Sequence, residues 1–519
     1  MCGIFGQITK TGGLNTKTGG LNTLNKDKAF QAALKCQHRG PDNTSDIFFN
    51  YNDYELYLVF HRLSINGLTA ESNQPLTIDN TTMICNGEIY NYKELSVEYN
   101  IVLKTDSDCE IIPHLYNLLG IDCIKLLDGV FTFILFDRQN GLLFVGHDPI
   151  GVRPGYMINT VNELTIASEM KSLLSYDGTI TMIPPGTYIE YNLNTTICET
   201  IQYYHLDYRK TYITDDVCIS MIKTKLYQAV KKRLMSDKPV GCLLSGGIDS
   251  SIICSIVNEI VPANEINTFS IGFKDAPDII FAEKVASYLG TNHTTYIVSE
   301  AEMLDAIEPT IQQIESYDVT TVRASVPMYL LSKKIKDNTD IRVILSGEGA
   351  DELSGSYLYF HNAPSATEFQ TECLRLIKDV QHFDVLRGDK TTAGHGLEIR
   401  VPFFDKEFVK EYMSIDPELK MVRNGTEKYL LRKTFEDILP MDVVWRRKDG
   451  FSDGVSTNKR PWYTVINEFC DKNFNICEQD YYKSIFDKYY GGKEYIVPYA
   501  WLPKWTDEVN PSGRLILGD

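Results

Sequence analysis

The chain has little of what marks an unusual environment or partner. Four tryptophans and nine histidines are spread over 519 residues. The histidines form no cluster and the twelve cysteines include no Cys-x-x-Cys pair, which excludes the common structural zinc sites and argues against a disulfide framework. Scattered thiols of this kind, Cys242 and Cys254 among them, fit buried apolar positions in a reducing compartment, the cytoplasm. Positive charge is also short: 51 Lys and Arg against 69 Asp and Glu leave a net charge of −18, a surface that repels nucleic acid. No apolar run approaches the ~20 residues that span a bilayer, and no basic stretch before an apolar core opens the chain, so neither membrane nor secretion is expected. With 43% hydrophobic and 23% charged residues the composition is ordinary and globular, and the length calls for more than one domain.

Against that background one stretch stands out, Val240-Gly-Cys-Leu-Leu-Ser-Gly-Gly-Ile-Asp-Ser-Ser251. It predicts a short buried strand, a tight turn at Ser245, Gly246 and Gly247, and a helix opening with Asp249 and Ser250. A loop of this kind offers N–H groups and hydroxyls at the positive end of a helix, which suits phosphate. No Lys follows the glycines, so it is not a Walker loop. The full pattern resembles the pyrophosphate-binding loop of the ATP pyrophosphatases, enzymes that split ATP into AMP and pyrophosphate while activating a carboxylate or carbonyl oxygen.

At the other end the chain begins Met1-Cys-Gly-Ile-Phe-Gly6, with a first strand expected from Ile4 to Ile8. Loss of Met1 leaves Cys2 with a thiol nucleophile and an α-amine of pKa near ~7.7–8.0 that can shuttle protons. Arg62 can grip a carboxylate bidentately. Asn86 and Gly87, after a strand at Thr82 to Cys85, put an amide and a backbone N–H side by side, as an oxyanion hole needs. Asp108 can hold an ammonium. Together these describe a site for an α-amino acid with a side-chain amide.

Residues 2–205 resemble the class II, N-terminal-nucleophile glutamine amidotransferase domain. The resemblance rests on six motifs in order: Met1 to Gly6, His38-Arg-Gly-Pro-Asp42, His61-Arg-Leu-Ser-Ile65, Asn86-Gly-Glu88, Ser107-Asp-Cys-Glu110 and Asp148-Pro-Ile-Gly-Val-Arg153. It implies an αββα sandwich that hydrolyses glutamine to glutamate and ammonia. Arg62 would bind the α-carboxylate, Leu63, Ser64, Ile65 and Asn66 would complete that wall, Asn86 and Gly87 would form the oxyanion hole, and Glu88 and Asp108 would orient the substrate. A tandem repeat, Thr11 to Lys17 followed by Thr18 to Thr23, reads as a surface insertion too polar to pack.

From Asp215 the pattern changes to helices alternating with short apolar strands, which predicts a parallel doubly wound sheet with ligand at its C-terminal edge. A helix is expected over 215–235, strands at 268–273 and 294–298, a helix at 282–289, and a loop from Pro440 to Trp445. Arg342-Val-Ile-Leu-Ser-Gly-Glu-Gly-Ala-Asp-Glu352 repeats the strand-then-Ser-Gly design of the first loop. Asp249 and Asp351 are hard oxygen ligands of the kind Mg²⁺ takes alongside phosphate. Lys448 is a cation able to meet charge on a phosphoryl group.

Residues 213–519 resemble the synthetase domain of the glutamine-hydrolysing asparagine synthetase family. Ser316-Tyr-Asp-Val-Thr-Thr-Val-Arg-Ala-Ser325 and Gly355-Ser-Tyr-Leu-Tyr-Phe-His361 add to the two loops, and the similarity covers nearly the whole chain. It implies that aspartate is adenylated by ATP and then aminated. Leu244, Ser245, Gly246, Gly247, Asp249, Ser250, Ile271, Ser346 and Gly347 would contact ATP, Asp249 and Asp351 would hold Mg²⁺, Lys448 and Glu348 would serve the chemistry, and Arg400 would reach aspartate. Ala350 stands where the family has Ser, and Leu386 to Lys390 departs from its pattern. A relative of the same architecture acting on another carboxylate stays open. The partners expected are small molecules, with a homodimer left open.

Overall fold

The computed structural model describes residues 1–12, 23–262, 265–446, 454–457 and 459–506. Most of the tandem repeat and Lys448 therefore lie outside the described residues. The chain divides into two compact units, residues 1–205 with 393–397, and residues 206–392 with 398 onward.

In the first unit two six-stranded antiparallel sheets stack between helices. One sheet runs, edge to edge, Thr181–Met182, Tyr156–Asn159, Glu163–Ala167, Gly3–Lys10, Tyr54–Arg62 and Asn43–Tyr51. The other runs Ile197–Gln202, Thr187–Asn192, Leu142–His147, Gly129–Asp137, Thr81–Ile89 and Leu76–Ile78. Strand alternation decides what meets what. Tyr54, Leu56, Leu58 and Phe60 join Ile4 and Ile8 in one core with Ile84, Ile134, Phe136 and Val145 of the facing sheet. The odd-numbered Phe131, Phe133 and Leu135 turn the other way, onto Ile111, Ile112 and Leu115 of helix Ile111–Leu119. Each such aliphatic or aromatic burial contributes about 1.5–3 kcal/mol. Helix Lys26–Leu34 lies beside the first sheet, started by Asn25, whose side chain accepts from the Lys28 N–H at 2.9 Å. Its buried residues are Ala29, Ala32 and Ala33, which let it sit close. Register places Gly3 opposite His61 and Ile4 opposite Phe60, so Cys2 comes to the end of the strand that carries Arg62.

The second unit holds a five-stranded parallel sheet in the order Asn292–Ile297, Asn267–Gly272, Val240–Leu243, Val343–Leu345, Glu398–Arg400. The chain starts at the middle strand, winds to one edge and returns to the other side. The switch in direction falls between Val240–Leu243 and Val343–Leu345, where such sheets open a crevice for ligand. Three helix boundaries differ from the sequence expectation, two of them at proline. The helix expected at 282–289 begins at Pro277, and Met441–Val444 is helical where a loop was expected. Proline has no N–H to satisfy and a φ suited to the first turn, so Pro277 and Pro440 start helices rather than end them. Helix 215–235 stops at Lys232. Among the described residues no helix is long and apolar enough to cross a membrane.

Candidate functional sites

In the first unit Cys2 is half-buried at the N-terminal edge of the central strand. Its backbone nitrogen donates to Asn86 Oδ1 at 2.9 Å, and its thiol lies 3.9 Å from the Leu63 carbonyl oxygen. Because the Asn86 carbonyl is engaged there, its amide nitrogen is turned the other way, buried and without a hydrogen-bond partner among the described residues. A buried donor with no acceptor costs about 1–3 kcal/mol, and an oxyanion beside Cys2 removes that cost. Gly87 follows Asn86 in the same strand, opposite Phe131. Arg62 is buried and is spent partly on the wall itself: it donates to the carbonyls of Thr69 at 2.8 Å, Asn66 at 3.3 Å and Gly67, and to Asn73 Oδ1 at 2.6 Å. Burial lowers the pKa of Arg62, with Cys2 and Asp42 pulling the other way. The wall is completed by buried Leu63 and Ile65, by the Ser64 N–H on Asp42 at 2.8 Å, and by Asn66 Nδ2 on Glu88. Asp108 accepts from the Ile89 N–H at 2.6 Å, next to the Asn86-Gly87-Glu88 strand.

Sequence reasoning missed what holds Cys2 in place. Arg39 Nε donates to the Cys2 carbonyl at 3.0 Å while its Nη1 sits 2.9 Å from the fully buried Glu169. Ser168 Oγ accepts from the Ile4 N–H at 3.0 Å. Only the motif position of Arg39 hinted at this, since Glu169 is 130 residues away. His61, also in a motif, is structural: its two ring nitrogens are bonded to Thr44 Oγ1 and the Ala33 carbonyl, both at 2.9 Å, and burial lowers its pKa.

In the second unit the two Ser-Gly loops leave adjacent strands at the switch point and enclose a cavity of about 250 Å³. Leu244, Ser245, Gly247, Asp249, Ser250, Ile271, Ser346, Gly347, Glu348 and Asp351 all line it. Gly246 does not, and makes the turn instead: its φ is +70°, and a Cβ there would come within 2.4 Å of the Phe281 backbone. The first loop is set by its own hydroxyls. Ser250 Oγ accepts from the Ser245 N–H at 3.1 Å, and Ser245 Oγ accepts from the Gly247 N–H at 3.3 Å. Gly347 lets the second loop touch the first, because a Cβ on it would lie 2.6 Å from the Ser250 nitrogen.

Asp249 and Asp351 converge from the two loops onto one cation, Lys428, whose ammonium is 2.5 Å from Asp249 Oδ2 and also bonded to Asp351 Oδ1. Burial works against that charge, but the two carboxylates outweigh it and raise the Lys428 pKa. Sequence reasoning missed Lys428, and its placement depends on a left-handed φ of +59° that no local signal announces. Loss of the ammonium leaves two like charges facing each other. Lys428→Met is expected to lower unfolding free energy by about 3 kcal/mol in urea titrations, and an unchanged midpoint would show that the three groups do not act together. Asp351 also accepts from Ser356 Oγ at 2.5 Å, so its orientation does not depend on a hydroxyl at Ala350.

Beyond the loops the cavity has apolar walls, Met328, Leu331 and Phe383 among them, and a cluster of charged groups. Glu348 is 3.1 Å from Arg387, and Arg387 is 2.8 Å from Asp384. Tyr357 donates to Glu352 and lies 3.4 Å from Asp384. Burial raises the Glu348 pKa to about 7, against the pull of Arg387. Glu348 Oε2 and Arg387 Nε are buried with no hydrogen-bond partner among the described residues, an acceptor and a donor that a ligand could meet. Arg400 does not line the cavity. Its guanidinium is bonded to Glu398 at 2.8 Å and to the Arg233 carbonyl at 2.7 Å, and its own carbonyl accepts from the Ser346 N–H at 3.0 Å. Among the arginines that do line it is Arg387.

The sequence comparisons agree with this division. Residues 1–206 match the glutamine amidotransferase domain model, and residues 221–372 and 363–506 match the asparagine synthase model. Among curated proteins, the glutamine-hydrolysing asparagine synthetase of Cricetulus griseus is 39% identical, that of Homo sapiens 38% and that of Gallus gallus 37%. Each match covers 93% of this chain and 95% of the relative. With Cys2 bonded to Asn86 in the first unit and paired Ser-Gly loops at a parallel-sheet switch point in the second, this chain belongs to the glutamine-hydrolysing asparagine synthetase family.

Proposed function

We propose that the chain makes asparagine from aspartate, ATP and glutamine. The observation that carries this is the cavity of the second unit, where two Ser-Gly loops face an unpartnered carboxylate oxygen and an unpartnered arginine nitrogen. In the first unit the Cys2 thiolate adds to the glutamine amide carbon, the oxyanion takes the Asn86 amide and Gly87 N–H, and collapse releases ammonia and an acyl-enzyme that water hydrolyses to glutamate. Arg62 meets the α-carboxylate and Asp108 the ammonium. In the second unit a β-carboxylate oxygen of aspartate attacks the α-phosphorus of ATP, and the bond to the bridging oxygen breaks with loss of pyrophosphate. A carboxylate is a poor electrophile and its oxygen a poor leaving group, whereas AMP leaves readily. Ammonia then adds to the acyl carbon, gives up a proton, and AMP departs. Glu348 is the base for that proton, Arg387 holds the aspartate α-carboxylate, and Lys448 meets phosphoryl charge.

Two carboxylates that already gather one cation fit Mg²⁺, which favours few protein oxygens beside phosphate. Asp249 and Asp351 would hold it, and it would supply charge neutralisation at the phosphates. Twelve scattered cysteines with no Cys-x-x-Cys pair fit a reducing cytoplasm. The test is product analysis. Aspartate, glutamine and MgATP are expected to give asparagine, glutamate, AMP and pyrophosphate in equal amounts. ADP with phosphate would sink the reading, and turnover of another carboxylate in preference to aspartate would point to a relative with a different acceptor.

A further inference from the structure

We propose that Trp501, carried on the C-terminal segment, sets the length of the amino acid that the second unit's cavity accepts. This rests on the synthetase reading above. Trp501 is 4% exposed and lines the same cavity as the nucleotide loops. It sits at the acid-and-arginine end. Its indole packs edge-on against the Tyr357 ring, with centroids 5.2 Å apart, and Tyr357 in turn bonds Glu352 and approaches Asp384. From Asp384 the chain of contacts runs to Arg387 at 2.8 Å and on to Glu348 at 3.1 Å. Trp501 therefore backs the groups that receive the amino acid.

The indole is also fixed in place. The Trp501 backbone N–H donates to Asp318 Oδ1 at 2.9 Å, and the other oxygen of Asp318 caps the helix Val319–Asn338 through Thr321. Both flanks of Trp501 are tied down. Tyr499 donates to Asp379 at 2.5 Å, Lys504 pairs with Glu372 at 3.1 Å, and the Trp505 carbonyl accepts from Asn362 at 3.1 Å. An aromatic wall anchored on both sides can discriminate against one added methylene by about 10–200-fold.

The test uses the full chain with ammonia as nitrogen donor, comparing wild type, Trp501→Ala and Trp501→Phe with aspartate and with glutamate, one methylene longer. Wild type is expected to use aspartate and reject glutamate; if it makes no asparagine, the synthetase reading fails before this inference is reached. In Trp501→Ala the KM for aspartate is expected to rise about tenfold with the KM for ATP unchanged, and the glutamate-to-aspartate ratio of kcat/KM to rise about tenfold or more. Trp501→Phe is expected to restore most of both. An Ala variant with the wild-type ratio overturns the proposal, as does a Phe variant no better than Ala. Should Trp501→Ala fail to fold, Trp501→Leu carries the same test: an intermediate ratio supports the proposal and a wild-type ratio overturns it.

Discussion

Cys2→Ala is expected to abolish glutamine-dependent asparagine formation, by at least ~10³-fold, while ammonia-dependent formation stays within about twofold of wild type. The asymmetry follows from where Cys2 sits. Its thiol lies 3.9 Å from the Leu63 carbonyl, a weak contact whose loss costs little. The backbone contacts that place the residue, its nitrogen on Asn86 and its carbonyl on Arg39, survive the substitution. The melting temperature should therefore move by only a few degrees, since Cys2 is half-buried at the margin of the core it packs against. Steady-state assays with glutamine and with ammonium as alternative donors read the result. Loss of both activities would mean that the two units do not house separate reactions.

The parts of the two sites that were legible in the sequence are those whose geometry is local. Ser245 to Ser250 and Ser346-Gly347 lie on tight strand-to-helix turns, and a turn constrains its own residues, so motif and geometry coincide. Asn86 and Gly87 were readable for the same reason, lying side by side on one strand. Long-range placement was not readable. Lys428 reaches Asp249 across 179 residues and Asp351 across 77, on a backbone conformation few residues adopt. Arg400 misled because its motif is real but its strand, though at the sheet's edge, is fully buried. A buried strand spends its side chains on neighbours, and the Arg400 guanidinium closes Glu398 and two loop carbonyls rather than meeting substrate. The two proline boundaries misled because proline both stops and starts helices, and only the following residues' packing decides between them.

Glu348→Gln is expected to slow ammonia-dependent asparagine formation by about 10²–10⁴-fold and to remove the acid limb of its pH profile. Addition of ammonia to an acyl carbon leaves an extra proton on nitrogen, and AMP cannot depart efficiently until that proton goes. Glu348 is placed to take it, with Oε2 buried, unpartnered and facing a position where a Cβ on Gly388 would come within 2.7 Å. Burial raises its pKa to about 7, so the carboxylate form that acts as base is lost as the pH falls below that value. Wild-type rate should therefore drop tenfold per pH unit below about 6, provided free ammonia is held constant by adjusting total ammonium, since nearly all of it is ammonium there and the free fraction also falls with pH. Aspartate-dependent exchange of pyrophosphate into ATP reports adenylation alone and should be nearly unchanged in Glu348→Gln. If exchange falls as far as synthesis, Glu348 serves formation of the acyl adenylate rather than its amination. The neighbouring Arg387 sharpens the test, because it pulls the Glu348 pKa down against burial. Its replacement by Met should move the acid limb of the surviving activity to higher pH, and a limb that stays in place would mean that another group titrates there.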